Sequence, residues 1–182
     1  MQDYRNGFTI LLEIMPPLPI LYPENMVHNY DKEITMERTH VIQFIQKLLA
    51  AIEKRVPSYN ENPEDANIAN GNVAICIIDG EGCIYGKLFG NDKIRQRASF
   101  RIAWTKASQV WLTGVKTGDY EKLVYTGRAV PEKLGLMKPD LIGWEGGQPI
   151  AIDETSALSI GFSGFRGVSD LDIVTKAIRD IR

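Results

Sequence analysis

Residues 73–88 read VAICIIDGEGCIYGKL, and this stretch decides the fold. Val73 to Ile78 is apolar at every position, which fits a central strand covered on both faces rather than a half-buried one. Asp79-Gly80-Glu81-Gly82 follows, and Asp-Gly between two apolar runs predicts a hairpin turn. Cys83 to Leu88 is then the return strand, and so short a connection makes the pair antiparallel.

Upstream of this hairpin, Ile34, Val41, Ile45, Leu48, Leu49, Ile52 and Val56 recur at helical spacing. They predict a helix from Asp31, its N-cap candidate, to a stop at Pro57. The polar run SYNENPEDANIANGN that follows reads as a loop. Downstream, Asn91 or Asp92 caps a second long helix from about Lys93 to Leu112. Phe100, Ala103, Trp104, Ala107, Val110 and Trp111 mark its packing face. Tyr120 to Tyr125 predicts a short helix, and Gly127 to Trp144 reads as irregular. A second hairpin joins Pro149–Ile152 to Leu158–Phe162 through Asp153 to Ser156, and Val168 to Ile181 closes the chain as a helix.

Residues 1–31 hold four of the nine prolines among Ile, Leu, Met and Tyr, so they read as an extended arm laid on a surface, with a neighbouring subunit preferred. Residues 32–182 form a single domain. The predicted fold class is α/β (α+β), with an antiparallel sheet of four or five strands flanked by helices.

Composition narrows the functional classes. The 182 residues are 44% hydrophobic and 24% charged with a formal net charge of -2, the balance of an ordinary globular domain. Nothing in that charge favours nucleic acid or an anionic membrane surface. The apolar run near the start is broken by Glu13 and Pro16-Pro17, too short to span a membrane and poor as a signal peptide, so a cytoplasmic location is expected. Cys76 and Cys83 form no CxxC pair and are expected as reduced thiols. His28 and His40 are the two histidines, which excludes a multi-histidine metal site within one chain. There is no P-loop and no GxGxxG, so nucleotide binding is rejected. Ser163 does not sit in a nucleophile elbow, because Phe165 stands where that pattern needs glycine.

Several segments, in order, resemble the GlcG/HbpS-type heme-binding family, also found as the C-terminal domain of PduO-type proteins. Val73 to Gly82 resembles the family's apolar strand and its Gly-containing turn. Ser99, Ala103, Lys106 and Ala107 match a Ser-x3-Ala-x2-Lys-Ala pattern. Gly146-Gly147-x-Pro149-Ile150 and Gly161-x-Ser163-Gly164 match two glycine motifs, and Asp170 or Asp172 supplies an aspartate near the start of the last helix. The resemblance covers roughly residues 32–182. It departs at Phe89 to Asp92, where the family often carries Arg-x-Asp, and between Gly135 and Trp144.

The resemblance implies a profilin-like α/β/α sandwich, a homo-oligomer and a heme or related tetrapyrrole ligand. Under it, Arg97, Arg101 and Lys106 meet the ligand's acidic groups, and the Gly146-Gly147 and Ser163-Gly164 loops line the site. An arginine pair four residues apart suits carboxylates, because the guanidinium fork binds them bidentately. His40 or His28 is the candidate axial ligand, although a boundary histidine and a loop histidine are their ordinary readings. Two alternatives stay open: an enzyme acting on a small carboxylated metabolite in the same pocket, and an oligomeric assembly protein without chemistry.

Overall fold

The computed structural model of the chain describes the backbone of residues 24–182 apart from residue 155, and the side chains from residue 38 onward with the same exception. It divides into residues 1–37 and 38–182. The expected arm lies outside the described residues up to residue 23; residues 24–31 are helical.

The first helix, α1, spans Glu24–Asn60, beginning before Asp31 and running past Pro57. No proline lies between residues 24 and 56, so nothing in the sequence interrupts it earlier. Pro57 removes one backbone donor in the last turn, and packing there offsets that loss: Val56 is buried, and the Tyr59 ring stacks on Phe165 at 5.6 Å between centroids. The predicted loop contains a short helix, α2 (Pro63–Ala69). Asn62 caps it by accepting from the Glu64 and Asp65 amides, and Pro63 occupies a first-turn position that needs no donor.

The strands are β1 (Val73–Ile78), β2 (Ile84–Phe89), β3 (Gly147–Ala151) and β4 (Ala157–Ser163). They form one antiparallel sheet in the order β2-β1-β4-β3. Asp79 holds the first turn as a hydrogen-bond acceptor: one carboxylate oxygen takes the Glu81 and Cys83 amides and the other the Tyr85 hydroxyl. The remaining helices are α3 (Lys93–Thr113), capped by Asp92, α4 (Thr117–Tyr125) and α5 (Gly167–Ile181). Between α4 and β3 the chain is irregular except for a 3-10 turn at Pro131–Leu134.

The period-2 alternation of β1 builds two different cores. Val73, Ile75 and Ile77 face Ile45, Leu48 and Ile52 of α1 and Ile173, Val174 and Ala177 of α5. Ala74, Cys76 and Ile78 face Ala103 and Ala107 of α3. The result is a three-layer α/β/α sandwich, as the family resemblance implies, with four of the expected four or five antiparallel strands. Trp104 and Trp111, expected on the packing face of α3, are 40% and 49% exposed. Their side of α3 stands over β2, where the sheet ends, and Ile84 and Leu88 on that strand are exposed too.

Small residues let α3 lie close to the sheet. A Cβ built on Gly161 would stand 2.0 Å from the Ala103 carbonyl oxygen and 2.6 Å from the Ala107 nitrogen, both backbone atoms that cannot rotate away. Gly161→Ala is therefore expected to cost roughly 2–3 kcal/mol by overpacking. Gly80→Ala, which meets nothing within 4 Å, should stay near wild type. Urea denaturation of both variants checks this, and equal midpoints would contradict the close approach.

Candidate functional site

A lysine and an aspartate, both removed from water, organise the region where α3, β4 and α5 meet. Lys106 Nζ lies 2.8 Å from Asp170 Oδ2, with each side chain 2% exposed. The ammonium also donates to the Phe162 carbonyl at 2.8 Å. Asp170 Oδ1 accepts the Phe165 amide at 2.9 Å. Burial pushes the Asp170 carboxyl up to about 7, against the pull of Lys106 and the Phe165 amide. Gly146 closes the pair from the side: a Cβ there would stand 2.8 Å from Lys106 Nζ, and its φ of +110° is glycine territory.

A second polar cluster holds the adjoining loop. Asp65 of α2 accepts from the Arg166 amide at 3.0 Å, from Arg166 Nε at 2.9 Å and from the Ser169 hydroxyl at 2.7 Å. Burial works to raise the Asp65 carboxyl, but these bonds outweigh it and hold the group below the ordinary carboxylate range. Arg166 also pairs with Glu64. The stretch from the end of β4 to the first turn of α5 is thus tied down by α2 and α3 together.

Between that loop and α3 lies a cavity of about 480 Å³. Lys106 and Asp170 are at its base, Ile68, Ile102, Trp144 and Phe165 supply apolar wall, and Ser99, Arg101, Ser163 and Gly164 complete the lining. Ser99 already donates to the Asn72 carbonyl. Among the described residues, neither the Arg101 guanidinium nor the Ser163 hydroxyl has a partner. Ile68 is 52% exposed and Trp144 66%, so apolar surface at this cavity faces water.

The expected site residues divide accordingly. Arg101, Lys106, Ser163 and Gly164 share the cavity. Gly146 and Gly147 border a separate one of about 220 Å³ with Lys116, Thr117 and Glu145. Arg97 is exposed on α3, one turn from Arg101 and outside the lining. His40 is exposed on α1, which packs on the sheet face opposite α3. His28 lies among residues whose side chains are not described. Among the described residues no group of three or more His, Cys, Asp or Glu side chains could hold a metal ion. Both cysteines are free thiols, and burial pushes Cys76 up to about 12.

The walls Ile68, Trp144 and Phe165 escape a site reading of the sequence, which offers Asp170 only as one of two aspartates in the family resemblance. The signal for Ile68 was present in Asn62-Pro63, a cap followed by a first-turn proline, which places a short helix in the apparent loop.

The chain matches no family model, and no curated protein matches it in sequence. It is similar to solved structures. The heme complex of PduOC superposes with a TM-score of 0.55 at 20% identity over 75% of this chain and 91% of that one. Klebsiella pneumoniae protein ORFY gives 0.54 at 20% identity over 75% and 86%. A double mutant of Streptomyces reticuli HbpS gives 0.50 at 15% identity over 75% and 85%. The expected resemblance to GlcG/HbpS-type proteins holds at the level of the fold.

Removing Lys106 leaves a buried carboxylate without its cation. Lys106→Met is expected to cost about 3–5 kcal/mol at pH 8. The folded carboxyl then holds its proton to higher pH than the unfolded one, so the penalty is full above the folded value and fades as pH falls toward 4. Urea denaturation from pH 8 to pH 4 checks the trend, and a pH-independent loss would contradict it.

Proposed function

We propose that this chain is a ligand-binding protein whose cavity beside α3 takes an amphipathic carboxylate of the tetrapyrrole class. One observation carries the reading: an unpartnered arginine, Arg101, at a cavity with exposed apolar walls. Its volume of about 480 Å³ is in the range of ligand pockets, roughly 300–1,000 Å³. A flat ring would cover Ile68 and Trp144, and its carboxylates would meet the guanidinium fork of Arg101. The fold shared with the PduOC heme complex supports the choice of ring.

The cavity suits the organic part of heme better than its iron. Its lining contains no His, Cys, Met or Tyr, and its one amine, Lys106, is engaged by Asp170 and the Phe162 carbonyl. The described residues of the cavity therefore do not fit axial ligation.

A second reading, an enzyme acting on a small carboxylated metabolite, is favoured by Asp170, which borders the cavity with its carboxyl near 7. Lys106 and the Phe165 amide already occupy that carboxylate, so binding ranks first. Self-association belongs to the proposal as well, and the exposed Ile84, Leu88, Trp104 and Trp111 support it. Cytoplasmic location is likewise proposed; no described helix is long and apolar enough to cross a membrane.

Hemin titration followed by quenching of tryptophan fluorescence tests the reading, since Trp144 lines the cavity. Saturable quenching is expected, and Arg101→Ala should weaken it about tenfold or more, the effect of losing a charge-assisted bond. A flat or non-saturable response would overturn it.

A further inference from the structure

We infer that this cavity recognises a ring and its carboxylates and not the metal the ring carries, so a metal-free porphyrin is as good a ligand as its iron complex. The inference rests on the ligand-binding reading above and names the class of ligand more closely.

The placement of His40, Cys76, Cys83, Tyr59 and Tyr85 supports it, and the cavity lining itself holds no His, Cys, Met or Tyr. Arg38, two residues before His40, reaches Glu81 at 2.5 Å and the Cys83 sulfur at 3.3 Å, which puts this part of α1 beside the β1–β2 turn. The cavity lies by the other end of β1, where Ser163 is registered opposite Ala74. Five residue steps of extended chain separate those ends by roughly 16 Å. His40 is also across the sheet from α3, so among the described side chains a ring resting on Trp144 and Ile68 has no histidine beside it.

Four further donors are buried, remote or already committed. Cys76 is buried between β1 and α3, and Cys83 sits at the far turn beside Arg38. The Tyr59 hydroxyl donates to Asp172 and the Tyr85 hydroxyl to Asp79. What the cavity offers a ligand is a guanidinium, a serine hydroxyl and apolar wall. These groups read carboxylates and ring faces, which a porphyrin keeps whether or not it holds iron.

The test compares hemin with protoporphyrin IX by tryptophan quenching on the full chain and on Arg101→Ala, His40→Ala and His28→Ala, each checked for folding by far-UV circular dichroism. The expected result is a pair of dissociation constants within about threefold of one another. Both should be weakened about tenfold by Arg101→Ala and left unchanged by the histidine variants. Hemin binding tenfold or more tightly, with the preference lost in His40→Ala or His28→Ala, would overturn the inference and leave the ligand-binding reading standing. Equal binding that ignores Arg101→Ala would place the ligand outside this cavity and overturn the inference too. Binding of neither compound would remove the ligand-binding reading itself.

Discussion

The buried contact between Lys106 and Asp170 is the constraint on which the rest of the site depends. Two charges taken out of water are tolerated only when they satisfy each other and their remaining hydrogen-bonding capacity. Here the ammonium has Asp170 and the Phe162 carbonyl, and the carboxylate has the Phe165 amide as well. The pair thereby fixes three elements at once: the middle of α3, the end of β4 and the first turn of α5. Gly146 is glycine because the chain must pass directly over that ammonium. The Asp65 cluster clamps the same loop from α2, and the cavity is the space left between the clamped loop and α3.

This arrangement separates groups that neighbour one another in sequence. Arg97 and Arg101 are one turn apart, yet only Arg101 lines the cavity, because four residues advance a helix by about 6 Å and rotate it by roughly 40° beyond a full turn. Gly146-Gly147 pack against Lys106 while Gly164 packs against Val73 and Asn72, and one pair borders each cavity. The glycines of the sheet serve close packing: Gly161 admits the backbone of α3.

The fold was largely legible because its signals are local. The Asp-Gly turn, the apolar run of β1, the Asp92 cap and the second hairpin each follow from a few adjacent residues. Helix α2 was missed because a short polar helix has little apolar periodicity, and α1 outran Pro57 because packing of Val56 and Tyr59 is not visible in a linear string. Trp104 and Trp111 have the spacing of a buried face, but the sheet stops beneath them. The site was legible in part: Lys106 came through a family resemblance and not through any spacing rule, and its partner Asp170 was one of two candidate aspartates. With solved relatives of the fold at 15–20% identity, shared architecture leaves the ligand to be argued from the cavity alone.

The most direct measurement is a map of amide and indole chemical-shift changes when protoporphyrin IX is added to isotope-labelled protein. A ligand in the cavity beside α3 predicts the largest changes at Gly164, Phe165 and Gly167 and at the Trp144 indole. Changes centred instead on His40 and the Asp79–Cys83 turn would contradict the account, because they would put the ligand at the opposite end and face of the sheet.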